Sequence, residues 1–234
     1  MRIGAIIPVY NEDSHIGGVL EKFDPALVNE IVVIDDGSTD DTPKILASSP
    51  ATVITHEHRT GVGKALRDGL DYLRSRGFDA AVVLAGNGKD DPREIPLLIA
   101  PLISEGVDYV QGSRFLAGGS FVNLPRGRYA MIKAYTGLWF ITLGRRLTDV
   151  TNGFRAYRLS ILDDPQINLD QEWLDTYEFE YYLHYKVISL GYNFREVGVS
   201  KKYPTRKKYS KIMPLLDWWS IIKPIIFLRL GLRS

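Results

Sequence analysis

The stretch EIVVIDDGSTDDT, residues 30–42, decides the fold. Its apolar run, bracketed by Glu30 and the Asp35–Asp36 pair, reads as a strand over 30–36 with both faces covered. Asp–Gly–Ser after a strand is ordinarily a turn leading into a helix N-cap. The same pattern recurs in IGAIIPV (3–9), ATVITH (51–56), AAVVLA (80–85) and DYVQGS (108–113). Between these runs, Val62, Leu66, Leu70 and Leu73 repeat at helical spacing, as do Ile95, Leu98, Ile99 and Leu102. Pro92 suits a first helical position, whereas Pro96 and Pro101 weaken the second helix. Strands alternating with helices predict an α/β fold with a mostly parallel, Rossmann-like sheet flanked by helices.

Beyond residue 114 the pattern changes. A Gly-containing loop (114–127) leads to a helix at about 128–146, then TDVTNGFRAYR (148–158), a helix around 174–190 and a strand FREVGVS (194–200). No linker separates the two parts, so the second is expected to pack on the first. The last segment, IMPLLDWWSIIKPIIFLRLGLRS (212–234), has no unbroken apolar run near the ~20 residues of a membrane span. Pro214 and Pro224 each suit a helix start and predict two short amphipathic helices. Asp217, Ser220 and Lys223 would share a side of the first, Arg229 and Arg233 a side of the second. Trp218 and Trp219 beside cations fit a membrane interface. A helix pair packed on the core, or a dimer contact, fits equally well.

The chain has 234 residues, 45% of them apolar, enough for a real core. It has no Cys, so disulfides and thiolate metal sites are excluded, and no two of its four His fall at a zinc spacing. The N-terminus lacks the length and cleavage site of a signal peptide, which predicts a cytoplasmic protein. The net charge is +1, but residues 201–234 carry nine Lys or Arg and one acid. This asymmetry predicts an anionic partner for the tail. No nucleic-acid partner is expected, and oligomeric state is left open.

In open parallel sheets ligands bind beyond the carboxyl ends of the strands. Three polar turns lie there: PVYNE (8–12), DDGSTDDT (35–42) and GNGKDDP (86–92). Together they fit a pocket with Tyr10 as a flat wall, Glu12 and Asp36 as acceptors from a base or ribose, and Gly86 to Lys89 as a phosphate-facing turn. Gly61-Val62-Gly63-Lys64 opens a helix and is a further phosphate candidate, without the spacing of a Walker loop or dinucleotide fingerprint.

Six motifs occur in order: IIPVYNE, VVIDDGSTDDT, RTGVGKALRDGL, GNGKDDPREIP, GSRFLAGG and TDVTNGFRAYR. The set resembles the family 2 glycosyltransferases of the nucleotide-diphospho-sugar (GT-A) fold, most closely the dolichyl- and polyprenyl-phosphate mannose synthase branch. The resemblance spans roughly residues 3–211. It implies a catalytic domain at 1–211, with a nucleotide-binding half (1–115) and an acceptor-binding half (116–211), followed by the amphipathic tail. It places Pro8, Tyr10, Glu12, Asp35 and Asp36 at the base and ribose, and Lys64, Gly86, Asn87 and Lys89 toward the diphosphate. Arg114, Arg128 and Arg155 would face phosphates. Arg206, Lys208 and Lys211 would lie in a loop closing over donor and acceptor.

The family usually carries Asp-x-Asp where this chain has Ala85 and Asn87, with Lys89 where a further oxygen ligand can occur. The expectation is a weakened Mg2+ or Mn2+ site held by Asn87 and Asp91, with Asp90 merely starting the next helix. In the competing arrangement Lys89 and the Arg cluster replace much of the metal's role. A hydroxyl acceptor would need a carboxylate base, for which Glu178, Glu180 and Asp149 are candidates. A phosphate acceptor needs cations and no base, and the number of Arg favours it.

The resemblance therefore implies hexose transfer, most readily mannose from GDP-mannose, to a lipid phosphate at the cytoplasmic membrane face. The alternatives are a hydroxyl acceptor, a UDP-sugar donor, or a nucleotide-sugar binding module that no longer catalyses.

Overall fold

The computed structural model describes residues 1–203 and 216–232. In chain order, β1 (Ile3–Val9), α1 (Ile16–Leu20), β2 (Glu30–Asp35), α2 (Thr42–Ala47) and β3 (Thr52–Thr55) lead to α3 (Val62–Ser75), β4 (Ala80–Val83), α4 (Ile95–Ser104) and β5 (Tyr109–Ser113). Then follow β6 (Ser120–Val122), α5 (Arg126–Leu143), β7 (Arg155–Arg158), α6 (Glu178–Ser189), β8 (Phe194–Gly198), β9 (Ser200–Lys202) and α7 (Leu216–Arg229).

Seven strands form one sheet in the order β3-β2-β1-β4-β7-β5-β8. Only β7 runs antiparallel to its neighbours within it. Successive side chains of β1 point to opposite faces. Ile3, Ala5 and Ile7 enter one core with Ile16, Leu46, Leu98 and Leu102, while Ile6 enters the other with Leu66, Leu70 and Leu73. Burial on both sides is why these strands read as continuous apolar runs. The mostly parallel α/β architecture expected from the sequence is present. β6 and β9 form a separate parallel pair at the edge of the cleft described below.

Two elements depart from expectation, the strand at 155–158 and the tail, while the expected α4 is present. RAYR, within the motif at 148–158, is the strand β7, inserted between β4 and β5. Arg155, Ala156 and Tyr157 are buried and Arg158 is half-buried, and with two Arg among four residues no apolar run announces the strand. α4 forms over its whole span: Pro96 sits in the first turn, where its missing N–H costs nothing, and Pro101 is accommodated inside.

The tail is one helix running through Pro224, where two short helices were expected. Packing decides this. Ile221 and Ile225 enter a third apolar cluster with Tyr135, Trp139, Tyr181 and Tyr185, and Lys223 Nζ donates to Glu178 Oε1 at 2.8 Å. Lys223 thus lies in an ion pair at the protein interior, not on a solvent-facing side. Among the described residues no helix is long and apolar enough to cross a membrane.

Candidate functional site

From β1 the chain moves outward through β2 to β3, then returns to place β4 on the other side of β1. A crevice opens beyond the strand ends at such a reversal. Here it is a cleft of about 970 Å³ whose lining includes Pro8, Tyr10, Glu12, Asp36, Asn87 and Lys89.

The first two turns are stitched together. Asn11, at φ +52°, donates its N–H to Ser38 Oγ at 2.9 Å and accepts from Thr39 N at 2.8 Å. Glu12 N donates to Thr42 Oγ1 at 2.8 Å. The Arg59 guanidinium lies 4.6 Å from the Tyr10 ring centroid, closing that wall. Asp36 organises the loop opposite. Its Oδ1 accepts from Thr60 N at 2.7 Å and pairs with His56 Nδ1 at 2.9 Å, and its Oδ2 accepts from Gly61 N at 2.9 Å. Burial alone would push this carboxyl up, but the hydrogen bonds from His56, Thr60 and Gly61 outweigh it and hold Asp36 below the usual range. Asp35 is buried outside the cleft lining, where Oδ1 accepts from Ser38 N at 3.0 Å and shapes the turn.

The third turn folds tightly. Gly88 has φ +69°, and a Cβ on Gly86 would collide with the Val9 side chain. Lys89 N donates to Asn87 Oδ1 at 3.2 Å, so the single oxygen of that side chain is engaged within the turn. The two following acids differ from expectation. Asp91 lies outside the cleft lining, caps the next turn by accepting from Arg93 N at 3.1 Å, and pairs with the Arg93 guanidinium. Asp90 is the one in the cleft wall, buried, with Oδ1 accepting from Lys201 Nζ at 2.6 Å. The Pro that follows Asp91 fixes which carboxylate caps, and that leaves Asp90 directed inward.

Lys89 sits among Lys201 and Arg128. Burial and then these two cations push its ammonium down to about 8, against the opposing pull of Glu12 and Asp90. Arg128 lines the cleft with its guanidinium 5.4 Å from the Tyr203 ring centroid.

The other expected Arg residues are committed to structure. Arg114 pairs with Asp149 through two hydrogen bonds of 2.6 Å and also bonds Tyr203 and Thr151, leaving only an edge of it at the cleft. Arg155 donates to the carbonyls of Asn152, Glu180 and Val150 at 2.9, 2.7 and 3.3 Å, is buried, and does not line the cleft.

Of the base candidates, Asp149 is consumed by Arg114. Glu178 is buried against Lys223 and Thr176, outside the cleft, and Glu180 alone lines it. Lys64 bonds Asp68 on its own helix and borders a separate small pocket. The N–H groups of Gly63 and Lys64 donate to Asp175 O at 2.8 and 3.1 Å, so a carbonyl occupies the helix terminus proposed for a phosphate. Arg206, Lys208 and Lys211 lie outside the described residues. Sequence reasoning missed Arg59 and Lys201. Neither carries a local signal, since each acts on a residue distant in the chain.

The residues at the β4 end do not fit a resident divalent ion. Asn87 supplies one oxygen, already accepting a hydrogen bond. Asp91 is a cap, Ala85 has no donor atom, and Lys89 and Lys201 bring ammonium groups to the same place. Among the described residues no group of three His, Asp or Glu is placed to hold a metal.

Comparison with known proteins agrees with the fold. The chain is 32% identical over 206 residues to an undecaprenyl-phosphate mannosyltransferase of Micrococcus luteus, covering 86% of this chain and 83% of that protein. It is 30% identical over 174 residues to a UDP-N-acetylglucosamine–dolichyl-phosphate N-acetylglucosaminyltransferase of Methanococcus voltae, covering 67% and 69%. Glucosyl-3-phosphoglycerate synthase of Mycobacterium tuberculosis, solved with Mn2+, UDP and phosphoglyceric acid, superposes with a TM-score of 0.72 at 21% identity, over 100% of this chain and 80% of that one. That neighbour was solved with a divalent ion and a nucleotide together, whereas this chain's own donor set differs. The model of glycosyl transferase family 2 matches residues 5–195. The chain belongs to glycosyl transferase family 2 and is a nucleotide-sugar-dependent hexosyltransferase.

Proposed function

We propose that this enzyme moves a hexose, with mannose from GDP-mannose the first choice, to a polyprenyl phosphate at the cytoplasmic membrane face. The nucleoside would lie against Tyr10, between Glu12 and Asp36, with the diphosphate toward the turn at Asn87. The observation that carries the reading is the grouping of Lys89, Lys201 and Arg128 in a cleft that also presents Asp36 and Glu12. Cations gathered in this way suit two phosphate-bearing substrates.

An oxygen of the acceptor phosphate attacks the sugar's anomeric carbon, and the bond to the diphosphate breaks with its electron pair leaving on the nucleoside diphosphate. An anionic acceptor needs no proton removed. That agrees with the withdrawal of Glu178 and Asp149 from the cleft. The cations stabilise the charge that develops on the departing diphosphate.

A second reading has a hydroxyl acceptor with Glu180 as base, because that carboxylate lines the cleft. The donor is open in the same sense: the named relatives include an enzyme of UDP-N-acetylglucosamine.

Incubation with radiolabelled GDP-mannose, UDP-glucose or UDP-N-acetylglucosamine and a polyprenyl phosphate, followed by organic extraction, tests the proposal. Label in the lipid phase from GDP-mannose supports it. Label from a UDP-sugar corrects the donor, and no lipid-linked label from any donor overturns it.

A further inference from the structure

We propose that a lysine pair, half-buried Lys89 and buried Lys201, takes the electrostatic place of a divalent ion at the diphosphate, so that nucleotide binding and transfer by this chain do not require a metal. The inference rests on the reading of the cleft as a nucleotide-sugar site.

Geometry carries it. Lys201 belongs to β9, far from β4 in sequence, yet its Nζ reaches Asp90 Oδ1 at 2.6 Å and Asn152 Oδ1 at 2.8 Å. Its side chain is only 11% exposed. A lysine is rarely buried to this degree unless paired, and here the pair is oriented. An ammonium carries three donors. Two are used by Asp90 and Asn152, and the third has no partner among the described residues, in a side chain that lines the cleft. The backbone fixes the same approach, because Lys202 N donates to Lys89 O at 3.0 Å. β9 is thereby tied to the turn after β4, and the two lysines are held together at the diphosphate end.

Two like charges brought together under burial oppose each other. Asp90 offsets part of this repulsion, and a bound diphosphate would offset more. Such an arrangement has an evident use if an anion completes it. The position also matters: Lys89 stands two residues after Asn87, where an oxygen donor would serve a metal, and an ammonium there repels a divalent ion. When the sugar–diphosphate bond breaks, the electron pair stays on the diphosphate oxygen, and the ammonium groups neutralise that charge without changing protonation or coordination.

Titration calorimetry with GDP and with UDP, in EDTA and in Mn2+, tests the proposal on the full chain. The expected result is closely similar affinity in both media. Lys89→Gln should weaken binding in EDTA roughly tenfold to a hundredfold, the loss of a hydrogen bond to a charged group. Lys201→Met alone would leave Asp90 buried and unpaired, so Lys201→Met/Asp90→Asn is the informative variant, and it should weaken binding to a similar extent. The triple change Ala85→Asp/Asn87→Asp/Lys89→Gln should make binding depend on Mn2+. Lys44→Gln, an exposed lysine paired with Asp41, serves as a charge control and should bind as the parent does. Binding by the parent that disappears in EDTA overturns the lysine proposal while leaving the nucleotide site intact. Binding of neither nucleotide in either medium overturns the reading of the cleft and the proposal with it.

Discussion

Arg114 and Asp149 face each other behind the wall of the cleft, Nε to Oδ2 and Nη2 to Oδ1 both at 2.6 Å, with both side chains out of solvent. The pair joins the end of β5 to the segment before β7. Removing one partner of a buried pair costs about 3–5 kcal/mol because the other charge is stranded. Asp149→Ala and Arg114→Ala should each lower stability by about that amount in urea unfolding. The double variant should cost clearly less than both losses together. Losses below about 1 kcal/mol in both single variants would mean the pair holds nothing in place.

The carboxylates test the acceptor. Glu178 is occupied by Lys223 and Thr176 outside the cleft, so Glu178→Gln should leave kcat nearly unchanged while loosening α7. Glu180→Gln should also spare most of kcat if the acceptor is a phosphate. Loss of a general base would instead remove about 10²–10⁴ in rate. Steady-state kinetics with donor binding measured separately decides between them. A fall of that size in the Glu180 variant, with binding intact, would favour a hydroxyl acceptor.

Gly63 is required by its neighbours. A Cβ there would meet the backbone oxygens of Leu174 and Thr176, which cannot swing aside as a side chain can. Gly63→Ala should cost about 3 kcal/mol, the upper end for overpacking, read as a lowered Tm. The fault should appear first where α3 meets the segment before α6. Tm equal to the parent's would show that this segment yields easily.

α5 exposes the apolar side chains Tyr129, Met131, Leu138, Phe140 and Ile141 around its solvent-facing surface, and the exposed Arg145 and Arg146 follow it. Trp219 on α7 is also half exposed. Apolar side chains beside cations suit an anionic membrane surface. The protein should co-sediment with phosphatidylglycerol vesicles, less so at high salt, and Ile141→Asp should reduce that without changing nucleotide affinity. Equal sedimentation with neutral and anionic vesicles would remove the role given to the cations.

Local pattern was enough to find the three turns that line the cleft. Strands covered on both faces announce themselves as apolar runs, and turns after them as Asp, Gly and Asn. The three turns at Tyr10, Asp36 and Asn87 were therefore legible, and the structure brings them to one cleft. Amphipathic spacing likewise gave α3 and α4.

Tertiary structure alone decided what those side chains face. β7 carries two Arg inside a sheet, which no periodicity predicts, and its insertion beside β4 depends on hydrogen bonds to strands on both sides. Pro92 marks Asp91 as the cap, but the lysine that pairs with Asp90 lies 111 residues away and cannot be read from the local sequence. Arg114, Arg155 and Glu178 looked available because a sequence lists charges without their partners. A buried charge must be paired with whatever the fold brings near it, and that is a long-range property of the chain.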